Sequence, residues 1–140
     1  MAVILLVEDE DQVRVLAESY LEEQGHKVLT AATVDGAFAV LRSDEAIDLL
    51  FSDIGLKADM HGGIDLARQA IEMRPNLKVL YTTGRSITDG MRARFVDGSA
   101  VLEKPYTTEQ LMHTLSAYYH INPNNRSGAA ETAGDGKRRP

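Results

Sequence analysis

Five short runs rich in apolar residues alternate along the chain with longer segments whose apolar residues recur every three or four positions. The apolar runs predict strands at residues 3–7, 27–32, 48–52, 77–82 and 100–102. The segments of helical spacing predict helices at about residues 12–24, 33–43, 64–73, 87–95 and 107–119. Strand and helix alternate five times with short connections. This alternation predicts an α/β fold with a doubly wound, five-stranded parallel sheet and helices on both faces.

Composition narrows the class of protein without identifying it. Hydrophobic residues make up 44% of the chain and charged residues 26%, as in an ordinary globular domain. The absence of cysteine excludes disulfides and cysteine-ligated zinc. No apolar run approaches the roughly 20 residues that span a bilayer, so we expect a cytoplasmic protein without membrane attachment. The net charge of −6 argues against direct binding to nucleic acid, which needs clustered Lys and Arg.

The last part of the chain differs from the rest in its pattern. Residues 122–140 show no hydrophobic periodicity and offer almost nothing to bury. We therefore expect one folded domain at residues 1–121 and a disordered C-terminal tail at 122–140.

Polar side chains cluster where the predicted strands end. Glu8 and Asp9 follow the first strand, Asp53 follows the third, Thr83 the fourth and Lys104 the fifth. Functional sites of open α/β sheets lie outside the carboxyl ends of the strands, so these side chains are expected to converge at one edge.

The chemistry of such an edge depends on how its charges are balanced. Neighbouring carboxylates repel one another unless they take up protons or bind a cation. Mg²⁺ prefers hard oxygen ligands, and Asp9 and Asp53 could hold it while leaving positions for a phosphate oxygen. Lys104 could supply a second positive charge and Thr83 a neutral donor, which is what phosphoryl transfer requires. Asp53 is then the natural nucleophile.

Each of these residues also has an ordinary structural interpretation. An acid after a strand, such as Asp9 or Asp11, often only caps the next helix. A threonine at a strand end is common, and a Lys-Pro pair usually belongs to a loop. Four of the five strand ends would have to carry such residues by coincidence, which favours the functional interpretation.

Five motifs, in this order and spacing, resemble those of the response regulator receiver family. They are Val7-Glu8-Asp9, Ser52-Asp53-Ile54-Gly55-Leu56, Gly63-Ile64-Asp65-Leu66, Tyr81-Thr82-Thr83-Gly84 and Leu102-Glu103-Lys104-Pro105-Tyr106. The resemblance covers about residues 2–120 and implies the flavodoxin-like receiver fold of two-component signalling proteins.

The resemblance also implies a metal site. Mg²⁺ would be held by Asp9, by Asp53, by the main-chain carbonyl of Gly55 and, through water, by Glu8. A cis peptide is implied before Pro105.

For the transfer itself, the resemblance implies that Asp53 accepts the phosphoryl group, that Thr83 bonds it and that Lys104 pairs with it. The donor would be a sensor histidine kinase or a phosphotransfer protein. Many members of the family pair through the fourth helix, fifth strand and fifth helix, which makes a homodimer possible here.

Three features depart from the usual pattern of the family. Lys57 replaces a common proline, and the loop from Asp53 to Gly63 is about two residues longer than usual. Val101 stands where many members carry an aromatic residue that moves with the threonine. No output domain follows in the sequence, so we expect signalling through protein contacts.

Three rival functions remain open at this point. A phosphatase with an aspartate nucleophile and Mg²⁺ would need a second Asp at position 55, where this chain has Gly55. A nucleotide- or flavin-binding module needs a Gly-rich or hydroxyl-rich loop after the first strand, where this chain has Glu-Asp-Glu-Asp. A receiver fold that acts only as an unphosphorylated interaction module would not need the complete set of site residues.

Overall fold

The structure is a computed structural model that describes residues 1–56 and 62–123. Within these residues lie five strands: β1 Val3–Val7, β2 Lys27–Ala31, β3 Leu49–Asp53, β4 Lys78–Thr83 and β5 Ala100–Glu103. The helices that alternate with them are α1 Asp11–Glu23, α2 Val34–Leu41, α3 Gly62–Met73, α4 Asp89–Arg94 and α5 Thr108–Tyr119.

The described strands form one parallel sheet in the order β2-β1-β3-β4-β5, as the alternating pattern predicts. The strand order reverses direction between β1 and β3, which places the topological switch point of the sheet there. In the register Val7 pairs with Ser52, and Asp53 pairs with Thr82. The carboxyl ends of β1, β3 and β4 therefore lie side by side.

Apolar residues fill both faces of the sheet because successive side chains of a strand point to opposite sides. Leu5 and Val7 of β1 pack with helices α2, α3 and α4, whereas Ile4 and Leu6 pack with α1 and α5. The central strand β3 is buried along its whole length, including its last residue, Asp53. A parallel strand covered on both faces explains the uninterrupted apolar run that precedes Asp53.

Side-chain caps set several helix boundaries. Thr33 accepts a hydrogen bond from the Gly36 amide, and Thr88 accepts one from the Met91 amide, so α4 begins two residues later than predicted. Thr107 and Gln110 form a capping box at the start of α5. Gly25 has a φ of 93°, the left-handed conformation that ends α1.

Helix α1 begins without a side-chain cap. Its N-cap residue is Glu10, whose side chain makes no capping bond, and Asp11 is already the first helical residue. The interpretation of Asp9 or Asp11 as the helix cap is therefore wrong.

Two sequence predictions lie outside the described residues. Lys57 and the extra length of its loop fall in residues 57–61, and nearly all of the predicted disordered tail falls in residues 124–140.

Candidate functional site

Three acidic side chains meet at the switch point of the sheet. Glu8 and Asp9 directly follow β1, and Asp53 is the last residue of β3. One carboxylate oxygen from each of the three lies within 4.8 Å of the others. Glu8 is 2% and Asp53 7% exposed, so two of the three carboxylates are held away from bulk water.

Lys104 supplies the positive charge of this cluster. It directly follows β5, and its Nζ lies 2.7 Å from Glu8 Oε1 and 2.9 Å from Asp53 Oδ2. The same ammonium lies 3.7 Å from Glu10 Oε1 at the solvent edge. The peptide bond between Lys104 and Pro105 is cis, as the resemblance implies.

The electrostatics of the site reflect burial as much as pairing. Burial raises the pKa of the Asp53 carboxyl above its ordinary value, although the hydrogen bond from Lys104 and its charge act in the opposite direction. Burial likewise raises the pKa of Glu8 against the pull of Lys104. The hydrogen bonds and charges of Glu8 and Asp53 outweigh the burial of Lys104 and raise its pKa. One ammonium does not fully compensate this group of carboxylates.

The main chain holds the other oxygen of Asp53. The Gly55 amide donates to Asp53 Oδ1 at 3.2 Å, while the Lys104 ammonium occupies Oδ2. Gly55 thus contacts Asp53 through its amide, and the role of its carbonyl oxygen as a metal ligand stays a prediction.

Thr83 lies on the same edge but directs its hydroxyl elsewhere. Its Oγ1 accepts from the Arg85 amide at 3.1 Å and donates to the Arg85 carbonyl at 3.2 Å. Thr83 and Asp53 line one cavity of about 710 Å³ together with Asp9, Gly55 and Lys104. The structure therefore brings these five predicted residues to one cavity, with Thr83 bonded to the loop that follows β4, whereas Glu8 lies behind them and contacts Lys104.

Sequence reasoning assigned no role to two residues at the site, Arg14 and Tyr106. Arg14 donates to the carbonyl of Glu8 at 2.9 Å and to Asp11 Oδ1 at 2.7 Å, and so fixes the acidic loop. Its position three residues after Asp11 on a helix was the available signal. Tyr106 lies beside Lys104 in a neighbouring apolar groove, and burial, together with the charge of Glu8, raises its pKa to about 12. Nothing in the pattern around Tyr106 distinguished it from an ordinary core aromatic.

A family model decides the identity of the domain. Residues 4–116 match the model described as the response regulator receiver domain. The chain belongs to this family. It is a receiver domain of two-component signalling, and this family consists of signalling phosphoacceptors.

Curated relatives support the same assignment. The response regulator receiver protein CpdR of Brucella abortus is 31% identical over 80% of this chain and 92% of its own length. The autoinducer 1 sensor kinase/phosphatase LuxN of Vibrio harveyi is 28% identical over 91% of this chain. The chain spans only 14% of LuxN and 24% of the Pseudomonas aeruginosa regulator AlgB, to which it is 34% identical.

Solved structures share the fold. A response regulator receiver protein from Sinorhizobium medicae has a TM-score of 0.75 and 32% identity, with 84% of this chain and 93% of that chain covered. The receiver domain of the hybrid histidine kinase CckA has a TM-score of 0.69 and 28% identity, with 83% and 97% covered. Among the described residues, no helix is long and apolar enough to cross a membrane.

Proposed function

We propose that Asp53 is the phosphoacceptor of this receiver domain. The observation that carries the proposal is the position of its carboxylate. One oxygen is bonded to Lys104, the other is bonded to the Gly55 amide, and the group faces a cavity that Thr83 also lines. A nucleophile held at both oxygens beside a cation is oriented for in-line attack on a phosphoryl group.

The residues present fit a bound Mg²⁺. Glu8, Asp9 and Asp53 offer three hard oxygen ligands within 4.8 Å of one another, and burial raises the pKa of Glu8 and of Asp53. Asp9 and Asp53 would hold the ion directly, with the Gly55 carbonyl beside them and Glu8 acting through water. When bound, Mg²⁺ supplies positive charge for the oxygens of the transferred phosphoryl group.

The chain's own residues then perform the transfer. An oxygen of Asp53 forms a bond to phosphorus as the bond from phosphorus to the donor's imidazole nitrogen breaks. That nitrogen keeps the electron pair. The Lys104 ammonium, now bonded to the carboxylate, can pair with a phosphoryl oxygen and compensate the added charge. Thr83 can bond another phosphoryl oxygen only after its hydroxyl leaves the main chain of Arg85.

The donor is proposed to be a sensor histidine kinase or a phosphotransfer protein. The similarity to segments of LuxN and to the CckA receiver, two proteins whose names include a kinase, supports this class of partner. We further propose that the domain works in the cytoplasm through protein contacts rather than by binding nucleic acid directly. A homodimer through α4, β5 and α5 belongs to the same proposal.

The proposal is tested by labelling the protein with radioactive acetyl phosphate and Mg²⁺. Asp53→Asn removes the nucleophile, and we expect the base-labile label to disappear. Asp48→Asn is the matched control, because Asp48 lies at the opposite end of the sheet, where its Oδ2 accepts a bond from the Val3 amide. Full labelling of Asp53→Asn would assign the phosphoryl group to another residue.

A second assay separates phosphoacceptance from enzymatic turnover. We expect the protein to assist its own phosphorylation and dephosphorylation but not to hydrolyse phosphomonoesters catalytically. Release of many equivalents of phosphate per protein from a phosphomonoester, lost in Asp53→Asn, would instead favour the phosphatase function.

A further inference from the structure

The first turn of α3 lies against the main chain of Asp53. A methyl group on Gly63 would lie 1.9 Å from the carbonyl oxygen of Asp53 and 2.8 Å from its carbonyl carbon. It would also lie 2.8 Å from the Cα of Ile54. The Gly63 amide donates to the Ile54 carbonyl at 2.9 Å. A hydrogen bond therefore joins the first turn of α3 to the residue that follows β3.

Position 63 requires glycine because there is no room for a Cβ atom, and not because its backbone has a conformation that only glycine adopts. Gly63 is the second residue of α3, and the glycines with positive φ among the described residues are Gly25 and Gly98. An alanine would favour the helix more than a glycine does. The three atoms nearest to an added Cβ belong to the main chain, so no rotamer change of a neighbour can relieve these contacts.

We propose that Gly63 is a positioning residue for phosphorylation, and this inference rests on the proposed role of Asp53. Any side chain at position 63 must separate α3 from the end of β3 or displace the main chain of Asp53. Gly63 therefore determines how closely the helix can approach, and thereby where the carboxylate of Asp53 stands relative to Lys104.

Displacement of Asp53 would affect the bonds that orient its carboxylate. Lys104 Nζ to Asp53 Oδ2 is 2.9 Å and the Gly55 amide to Oδ1 is 3.2 Å, so a shift of about 1 Å breaks either bond. The hydroxyl of Ser52, which is fully buried, donates to the same Asp53 carbonyl at 3.0 Å. The strand end is thus held from two sides, and Gly63 supplies one of them.

The chain offers a matched control. Gly90 is the second residue of α4, as Gly63 is of α3. Within residues 1–56 and 62–123, a methyl group on Gly90 would meet only Thr88 Oγ1, at an ordinary 3.9 Å. The variants Gly63→Ala and Gly90→Ala therefore make the same chemical change at the same helical position, with and without a main-chain obstacle.

The first measurement is the rate of labelling by acetyl phosphate at saturating Mg²⁺, as a function of donor concentration. For Gly63→Ala we expect the maximal rate to fall roughly 10- to 100-fold with little change in the donor concentration that gives half of it. For Gly90→Ala we expect the wild-type curve. A wild-type maximal rate for Gly63→Ala would overturn the proposal.

The second measurement needs neither metal nor phosphorylation. In ¹⁵N-labelled protein without Mg²⁺, the Gly55 amide reports on its bond to Asp53 Oδ1. We expect its resonance to shift in Gly63→Ala and to stay in place in Gly90→Ala. An unshifted Gly55 resonance would overturn the proposal even if labelling were slow, because the loss would then come from general destabilisation.

If Gly63→Ala does not fold in buffer, both measurements are made after refolding in trimethylamine N-oxide, which favours burial. Wild-type behaviour of the refolded variant would again contradict a positioning role.

Failure of the proposed function can be distinguished from failure of this inference. If Asp53 is not the phosphoacceptor, Asp53→Asn will keep its label. The Gly55 resonance would still report whether Gly63 positions Asp53.

Discussion

At the carboxyl ends of the strands one ammonium contacts several carboxylates, whereas at the amino ends the side chains of Asp48 and Lys78 bind main-chain groups. Lys104 contacts Glu8, Asp53 and Glu10. At the other end, the Asp48 carboxylate accepts from the Val3 amide at 2.8 Å, and Lys78 donates to the Tyr119 carbonyl at 3.2 Å.

The difference separates function from stability. At the amino ends, Asp48 accepts from a main-chain donor at the start of β1 and Lys78 donates to a main-chain acceptor at the end of α5, and both bonds stabilise the fold. The carboxyl ends hold buried like charges, and burial raises the pKa values of Glu8 and Asp53. An arrangement that does not minimise the free energy of folding marks a functional site. Substitutions at the two ends should therefore affect different properties.

We expect the largest effect on the labelling rate from substitution of Lys104, and Lys78 at the opposite end of the sheet provides the control. In Lys104→Met the carboxylates lose their common cation, and we expect acetyl phosphate labelling to slow by roughly 100-fold, as for loss of one charge-stabilising donor. In Lys78→Met only the bond to the Tyr119 carbonyl is lost. We expect unchanged labelling and a loss of about 1 kcal/mol of unfolding free energy or less. Equal labelling defects in both variants would remove the distinction between the two ends.

A buried hydroxyl at the amino ends should matter for stability alone. Tyr119, 3% exposed, accepts from the Ala100 amide at 2.9 Å and donates to the Val79 carbonyl. Tyr119→Phe leaves both groups without this partner, and we expect a loss of about 1–3 kcal/mol in urea unfolding with a normal labelling rate.

The neighbouring residue provides the control for this substitution. Tyr118 is 66% exposed, and Tyr118→Phe should leave the unfolding curve unchanged. Slow labelling by folded Tyr119→Phe would show that the amino ends influence the site.

The titration of Asp53 should make the free energy of unfolding depend on pH. Because the pKa of Asp53 is raised in the folded protein, the folded state holds that proton more tightly than the unfolded chain. Stability therefore falls as the pH rises from the ordinary pKa of an aspartate through the raised value. Asp53→Asn lacks this titration, so in the presence of chelator the difference in unfolding free energy between Asp53→Asn and the wild type should shift in favour of the variant as the pH rises above about 4.

Urea unfolding at several pH values, with the protein freed of Mg²⁺, measures this gain. Asp48→Asn serves as the comparison at the other end of the sheet. A gap between Asp53→Asn and the wild type that shrinks as the pH rises would mean that pairing with Lys104 outweighs burial.

The smallest expected effect belongs to His26 at the amino ends. Its Nδ1 accepts from the Ala2 amide at 3.1 Å, and burial, with the charge of the N-terminus, lowers its pKa. The unfolded chain thus binds the proton more readily, and stability is lost as the pH falls below about 6.5. His26→Gln should lack this part of the pH dependence between pH 7 and 5, whereas exposed His113→Gln should keep it. Identical pH profiles for the wild type and His26→Gln would contradict the prediction.

Much of this fold could be predicted because its signals are local. The apolar run 48–52 and the helical spacing after Gln12 define elements by the period of their buried positions, which needs no tertiary information. Parallel strands then bring their carboxyl ends to one edge. Asp9, Asp53 and Lys104 could therefore be assigned to one site although they are far apart in the sequence.

The details of that site depended on distances that no pattern contains. A sequence does not show that the Thr83 hydroxyl bonds the main chain of Arg85, or that Arg14 holds the Glu8 carbonyl. Both contacts depend on the path of a loop after the strand ends, where side-chain periodicity no longer applies.

The sequence by itself determined the order of the elements, the fold class and the set of residues at the edge of the sheet. Only the tertiary structure decided that Lys104 is shared among several carboxylates and that Gly63 touches the Asp53 main chain. The physical reason is a difference of range. Periodicity follows from the geometry of one strand or helix, whereas charge sharing and close packing depend on ångström-scale distances between elements that are remote in the chain.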